Sequence, residues 1–169
     1  MFEALHRLLR VVLITGLLSS RARAQARDTI PLNIWGSLAL GSANGPGATR
    51  VGTALTLWAT HGIRAAAIRA ASSSRFLEEG DVQDYSLVVG ARLPRRHVTA
   101  VAGAGIGVSS GRTGYLQPRL PNAVILAYSG ELAASFSHVG LGISVFGAVG
   151  DARRSYSAVG LVVEGGRIH

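Results

Sequence analysis

Between Ile34 and Glu164 the chain repeats one pattern: a run in which large apolar side chains alternate with small or polar ones, then a break. The run Asn122 to Ser137, NAVILAYSGELAASFS, shows it most plainly. Val124, Leu126, Tyr128, Leu132 and Phe136 share one parity, and Ala127, Ser129, Glu131, Ala133 and Ser135 share the other. A period of two is that of a β-strand, whose successive side chains point to opposite faces. One face is therefore wide and apolar. The other is small and polar and holds a carboxylate, which an apolar interior tolerates only with a partner.

Read the same way, the sequence predicts eight strands, over 34–42, 50–60, 63–73, 84–93, 97–109, 122–137, 139–150 and 156–164. Val51, Thr53, Leu55 and Leu57 oppose Gly52, Ala54 and Thr56 on the second; Tyr85, Leu87, Val89, Ala91 and Leu93 share a face of the fourth. The Ala-rich third run has helical propensity. Its apolar positions form no helical stripe, however, and strands flank it, so strand is the expectation. The breaks alternate in kind. Those after strands two, four and six are a few residues each, at His61-Gly62, Pro94-Arg95-Arg96 and Ser137-His138, whereas those after strands one, three, five and seven are polar and mostly longer.

An even number of strands with short turns at one rim and longer loops at the other predicts an antiparallel up-and-down meander closed into a barrel. The charges say which face is outside. A water-exposed exterior would be roughly 25–35% charged, yet the strand interiors carry only Arg64, Arg69, Arg92, Glu131 and Glu164, and their non-apolar faces are mostly Gly, Ala, Ser and Thr. Small faces suit the cramped lumen of an eight-stranded barrel, and the apolar faces suit lipid. The fold expected is all-β: an eight-stranded antiparallel transmembrane β-barrel. The alternative is a soluble, secreted lipocalin-like barrel with apolar interior and an apolar ligand.

Composition adds a targeting signal and removes several functions. Arg7 and Arg10 precede the apolar run Val11 to Leu18, and Ala22-Arg-Ala24 supplies small residues for cleavage. Residues 1–24 therefore read as a signal peptide, 25–33 as a lead-in and 34–169 as the barrel. All 17 basic residues are Arg, against nine acids, for a net charge of +8. The signal alone contributes +3, and no basic stripe with interleaved aromatics is present, so nucleic acid is not an expected partner. No cysteine occurs in the chain, so disulfides and thiolate metal sites are unavailable.

With its signal, strand count and loop asymmetry, the chain from Ile34 onward resembles the small eight-stranded bacterial outer-membrane barrels. Their last strand commonly ends on an aromatic residue, where this chain has Gly166-Arg-Ile-His169. The resemblance implies an outer-membrane location, short turns facing the periplasm, insertion by the barrel assembly machinery, and a monomer without cofactor. The role it implies is structural or surface interaction, with a lumen too narrow for a wide pore.

Several side chains are candidates for chemistry. Parity sends Arg69, Arg92, Glu131 and Glu164 into the lumen as a charge network. Arg69 and Glu131, at similar heights above the short turns, are expected to pair. Arg64 faces lipid at the rim. Trp35 and Trp58, at the short-turn ends of adjacent strands, point inward and should pack together. Arg50, Arg75, Arg112, Arg119, Arg153 and Arg154 fall at the loop rim, where guanidinium groups could contact lipopolysaccharide phosphates. His61, His97, His138 and His169 share the short-turn rim but lack local metal-ligand spacing, so no metal is expected. Some barrels of this kind resemble lipid A-modifying enzymes. Here the nearest Ser–His and His–Thr neighbours lie at the turns and no Gly-x-Ser-x-Gly elbow occurs, so no enzyme is expected.

Overall fold

Backbone pairing closes on itself. The computed structural model describes residues 32–45, 48–74, 81–95, 97–112, 118–136 and 138–166, all within the unit Pro31–His169. They form eight antiparallel strands: β1 (Leu32–Gly45), β2 (Ala48–His61), β3 (Arg64–Ser74), β4 (Asp81–Pro94), β5 (Val98–Arg112), β6 (Arg119–Phe136), β7 (Val139–Val149) and β8 (Tyr156–Gly166). Each strand pairs with its neighbours in sequence, and β1 pairs with β8 from Trp35↔Gly166 to Asn44↔Ser157, which closes the barrel. The signal, most of the lead-in and the C-terminal residues 167–169 lie outside the described residues.

The alternation decides which side chains meet in the middle. On β3, Ala65, Ala67, Arg69, Ala71 and Ser73 are buried while Ala66 and Ile68 are exposed, so the Ala-rich run is a strand. Leu38, Leu55, Leu126, Leu132, Leu141, Ile143 and Leu161 are all at least half exposed. The buried set includes Arg69, Asp84, Arg92, Glu131 and Glu164. This is the reverse of a soluble barrel, whose apolar side chains would fill the interior. Tyr128 on the outer face lies over its register partner Gly147, where an added Cβ would come within 2.6 Å of the ring. The aromatic ring thus covers backbone that glycine leaves bare.

At the short-turn rim the hairpins are fastened to one another. Gly62, at φ 60°, supplies the left-handed residue that the β2–β3 turn needs. The carbonyl of Ile63 in that turn accepts from the Arg92 amide of β4 at 2.8 Å, that of His97 accepts from Ser135 of β6 at 3.0 Å, and that of His138 accepts from Gly166 of β8 at 3.0 Å. Each turn is thereby tied to the strand that follows its hairpin.

Five strands run two or three residues further toward the loop rim than their patterns suggest. β1 ends at Gly45, β2 begins at Ala48 and β5 ends at Arg112. β4 begins at Asp81, ahead of Asp84, and β6 begins at Arg119, ahead of Asn122. Pro121 is tolerated because it sits at the register shift opposite Ser109 to Gly111 and has no β7 partner; β6–β7 pairing starts only at Leu126↔Val149. The β5–β6 pair therefore extends beyond the neighbouring β7 ladder.

Leu161, midway along β8 and 73% exposed, tests the assignment of faces. In urea unfolding of the vesicle-inserted barrel, Leu161→Arg is expected to cost roughly 2–4 kcal/mol, as arginine does at a bilayer midplane. An unchanged unfolding midpoint would assign that face to water.

Candidate functional site in the barrel lumen

Eight strands leave an interior that side chains just fill, and here much of the filling is polar. Toward the loop rim, β3 places Arg69 and β4 places Asp84 on the inner face, two register positions apart on the ladder Arg69↔Ser86. Arg69 Nη2 donates to Asp84 Oδ1 at 2.6 Å, with both side chains fully buried. The guanidinium also donates to the carbonyls of Tyr128 (2.5 Å) and Gly147 (3.1 Å), across the barrel on β6 and β7. Tyr156 of β8 donates its hydroxyl to Asp84 Oδ2. This cluster joins five of the eight strands, and each charge has an opposite charge or a neutral hydrogen-bond partner.

Phe146, Ile125, Val82, Ala43 and Ala158 pack as apolar filling in the lumen. Gly52 makes room for the Phe146 ring: a Cβ there would lie 3.2 Å from Cζ and 2.7 Å from the Ala158 Cβ. Nearer the short turns is a second polar layer. Ser37 donates to Glu131 Oε1 at 2.6 Å, Thr99 and Ser135 hydroxyls share a hydrogen bond at 2.9 Å, and Arg92 Nη1 reaches Thr60 Oγ1 at 3.5 Å. Trp35 and Trp58, partners across β1–β2, stack at 6.2 Å between centroids, and the Arg92 guanidinium sits 5.4 Å from the Trp35 ring centroid. That places a cation over a π-face in a desolvated setting.

Glu131 has Trp35, Trp58 and Glu164 as neighbours, and Glu164 has Arg92 and Thr99. Glu131 Oε2, both Glu164 oxygens and the two indole nitrogens are buried without a well-formed protein hydrogen bond. Donors and acceptors therefore converge on one space, complementary in kind. Gly140 holds that space open, since a Cβ there would meet Glu164 Oε2 at 2.7 Å.

No family model and no curated protein matches the chain. Among solved structures, the Neisserial surface protein A crystal structure is similar over 80% of this chain and 96% of its own, at 11% identity and TM-score 0.58. The Yersinia pestis outer membrane protein Ail, in a phospholipid bilayer nanodisc, is similar over 78% of this chain and 97% of its own, at 15% identity and TM-score 0.48. The fold is that of the small eight-stranded outer-membrane barrels.

Within this outer-membrane barrel fold the four lumen charges of the sequence reading are all buried, but one pairing is corrected. Arg69 bonds Asp84, not Glu131. Residue counts from the turns put Arg69 and Glu131 level, yet they sit on opposite walls, and the long arginine side chain reaches toward the loop rim while Glu131 bonds Ser37. Asp84 and Tyr156 were missed because both stood at expected strand ends. The parity rule already turns them inward with Ser86 and Ala158.

Two of the loop arginines are also corrected. Arg50 and Arg154 are each only 5% exposed. Arg50 has the inner parity of Gly52 and Ala54, and Arg154 folds onto Asp151 and donates to the Pro121 carbonyl at 2.6 Å. Both are buried at the barrel mouth and do not face outward. Arg112, Arg119 and Arg153 are exposed, and Arg112 stands directly opposite Arg119 on the β5–β6 extension. Arg75 lies outside the described residues. The described histidines, His61, His97 and His138, are exposed at the short-turn rim, and no group of three metal-ligating side chains occurs among the described residues.

A double-mutant cycle separates the two pairings. Asp84→Ala, which strands a buried guanidinium, should cost about 3–5 kcal/mol, with a large coupling to Arg69→Ala. Arg69→Ala and Glu131→Ala should be nearly additive in the same unfolding measurement.

Proposed function

We propose that this chain is an integral outer-membrane protein whose barrel acts as a structural and surface-interaction element, without cofactor or catalysis. The observation that carries the reading is the inverted distribution of side chains: a belt of exposed leucine, isoleucine and valine around an interior of arginine, carboxylate, serine and threonine. An aqueous exterior would be dominated by charged side chains; a lipid exterior needs this belt, and a strand crossing lipid needs every backbone group paired, as barrel closure provides.

The lumen in this reading is closed to solutes. Trp35, Trp58, Arg69 and Phe146 are fully buried within it, and eight-stranded barrels leave space for side chains only. Surface interaction then falls to the loop rim, where Arg112, Arg119 and Arg153 are exposed. Like charges directly opposite one another, as at Arg112↔Arg119, are unfavourable without a counter-charge, which supports contact with lipopolysaccharide phosphates at this rim. The barrel would be inserted by the assembly machinery and act as a monomer.

Membrane fractionation and liposome assays test this directly. The protein should stay in the membrane pellet after carbonate washing, and proteoliposomes should show no sugar-driven swelling. Release by carbonate would refute the membrane reading, and swelling would refute the closed lumen. Arg112→Ala/Arg119→Ala should lower the lipopolysaccharide that co-purifies with the barrel; an unchanged amount would remove the phosphate contact.

A further inference from the structure

Both rims carry exposed arginine, but they differ in their carboxylates. At the short-turn rim Arg64, Arg95, His61, His97 and His138 are all exposed. The described carboxylates outside the lumen, Asp81 and Asp151, both stand at the loop rim. The basic groups also lie at the immediate edge of the apolar belt. Arg64 follows Ile63, Arg95 comes two residues after Leu93, His97 precedes Val98 and His138 precedes Val139, and all four of these apolar side chains are exposed.

The groups are held as a ring. His61 stands opposite Arg64 across β2–β3. The carbonyls of Ile63, His97 and His138 accept backbone hydrogen bonds from β4, β6 and β8 in turn, so each turn is fixed to the strand that follows its hairpin. A basic side chain at the boundary of an apolar belt extends its polar end to headgroup depth, and a guanidinium there binds phosphate through two parallel N–H donors.

We propose that this rim is a binding surface for anionic phospholipid, with Arg64 and Arg95 as the main phosphate ligands. The proposal rests on the membrane reading above and adds a lipid class and a leaflet: short turns facing the periplasm would put the ring among phospholipids, while the loop rim meets lipopolysaccharide. An acidic soluble partner would not need the cations to adjoin exposed Ile63, Leu93, Val98 and Val139. A lipid surface does.

The full chain, folded into phosphatidylcholine vesicles, can be probed with trace spin-labelled phosphatidylglycerol or phosphatidylcholine. The motionally restricted fraction reports which lipid the barrel holds. Wild type should select phosphatidylglycerol by about threefold, a preference that falls in high salt, as surface electrostatics require. Arg64→Gln/Arg95→Gln should bring the preference close to unity while the barrel stays folded by heat-modifiable gel migration. Arg112→Gln/Arg119→Gln, at the other rim, should lower it by less than the Arg64/Arg95 change. Equal restriction of both lipids by wild type, or a preference that survives the Arg64/Arg95 change or is lost only with the Arg112/Arg119 change, overturns the proposal. Failure of the chain to insert into any vesicle would overturn the membrane reading itself.

Discussion

Backbone amides and carbonyls that cross hydrocarbon have no water to bond, so each must find its partner inside the protein. For a sheet, this forbids an edge. The β1–β8 ladder removes it, and the rest of the molecule follows from that closure. Once closed, a sheet has one inside and one outside, and the two-residue period assigns every side chain to one of them.

Closure with only eight strands sets a second constraint, since the lumen admits few large side chains. The strands respond with Gly, Ala and Ser on the inner face and place bulk at chosen points: the Trp35–Trp58 stack near the short turns, Phe146 above it, and Arg69 reaching across to β6 and β7. Polar groups do here what an apolar core does in a soluble domain. The Arg69–Asp84–Tyr156 cluster ties β3, β4 and β8 to carbonyls of β6 and β7. A buried ion pair contributes little net stability over an apolar substitute, but breaking one is strongly unfavourable, so such a cluster favours one arrangement of strands over its alternatives.

Much of this was legible from the chain, for a definite reason. Strand number, face assignment and the inward Trp pair depend only on parity and on where glycine, proline and charge interrupt it, and both are local. The Ala-rich third strand could be read because its neighbours left no place for a helix. What parity could not supply was height. Strands tilt and stagger around a barrel, so equal counts from the turns do not bring Arg69 to Glu131, and Asp84 takes that place. Strand ends were the other gap. Asp84 and Arg50 lie where polar residues usually mean loop, yet β4 and β2 continue past them and turn them inward, while Tyr156 opens β8 facing inward and Arg154 folds in from the loop before it. Pro121 hid the start of β6 because a proline at a bulge reads like a terminator.

The absence of cysteine in the sequence gives a clean test of the face assignment on which everything else rests. Single cysteines at Leu161 and Val162, neighbours on β8 with opposite parity, can each carry a spin label in the bilayer-inserted barrel. The label at 161 should relax strongly with oxygen, which partitions into lipid, and weakly with a water-soluble nickel chelate; the label at 162 should be shielded from both. A label at 161 that the nickel chelate reaches as freely as it would in water, with 162 still shielded, would contradict the assignment of that face to lipid.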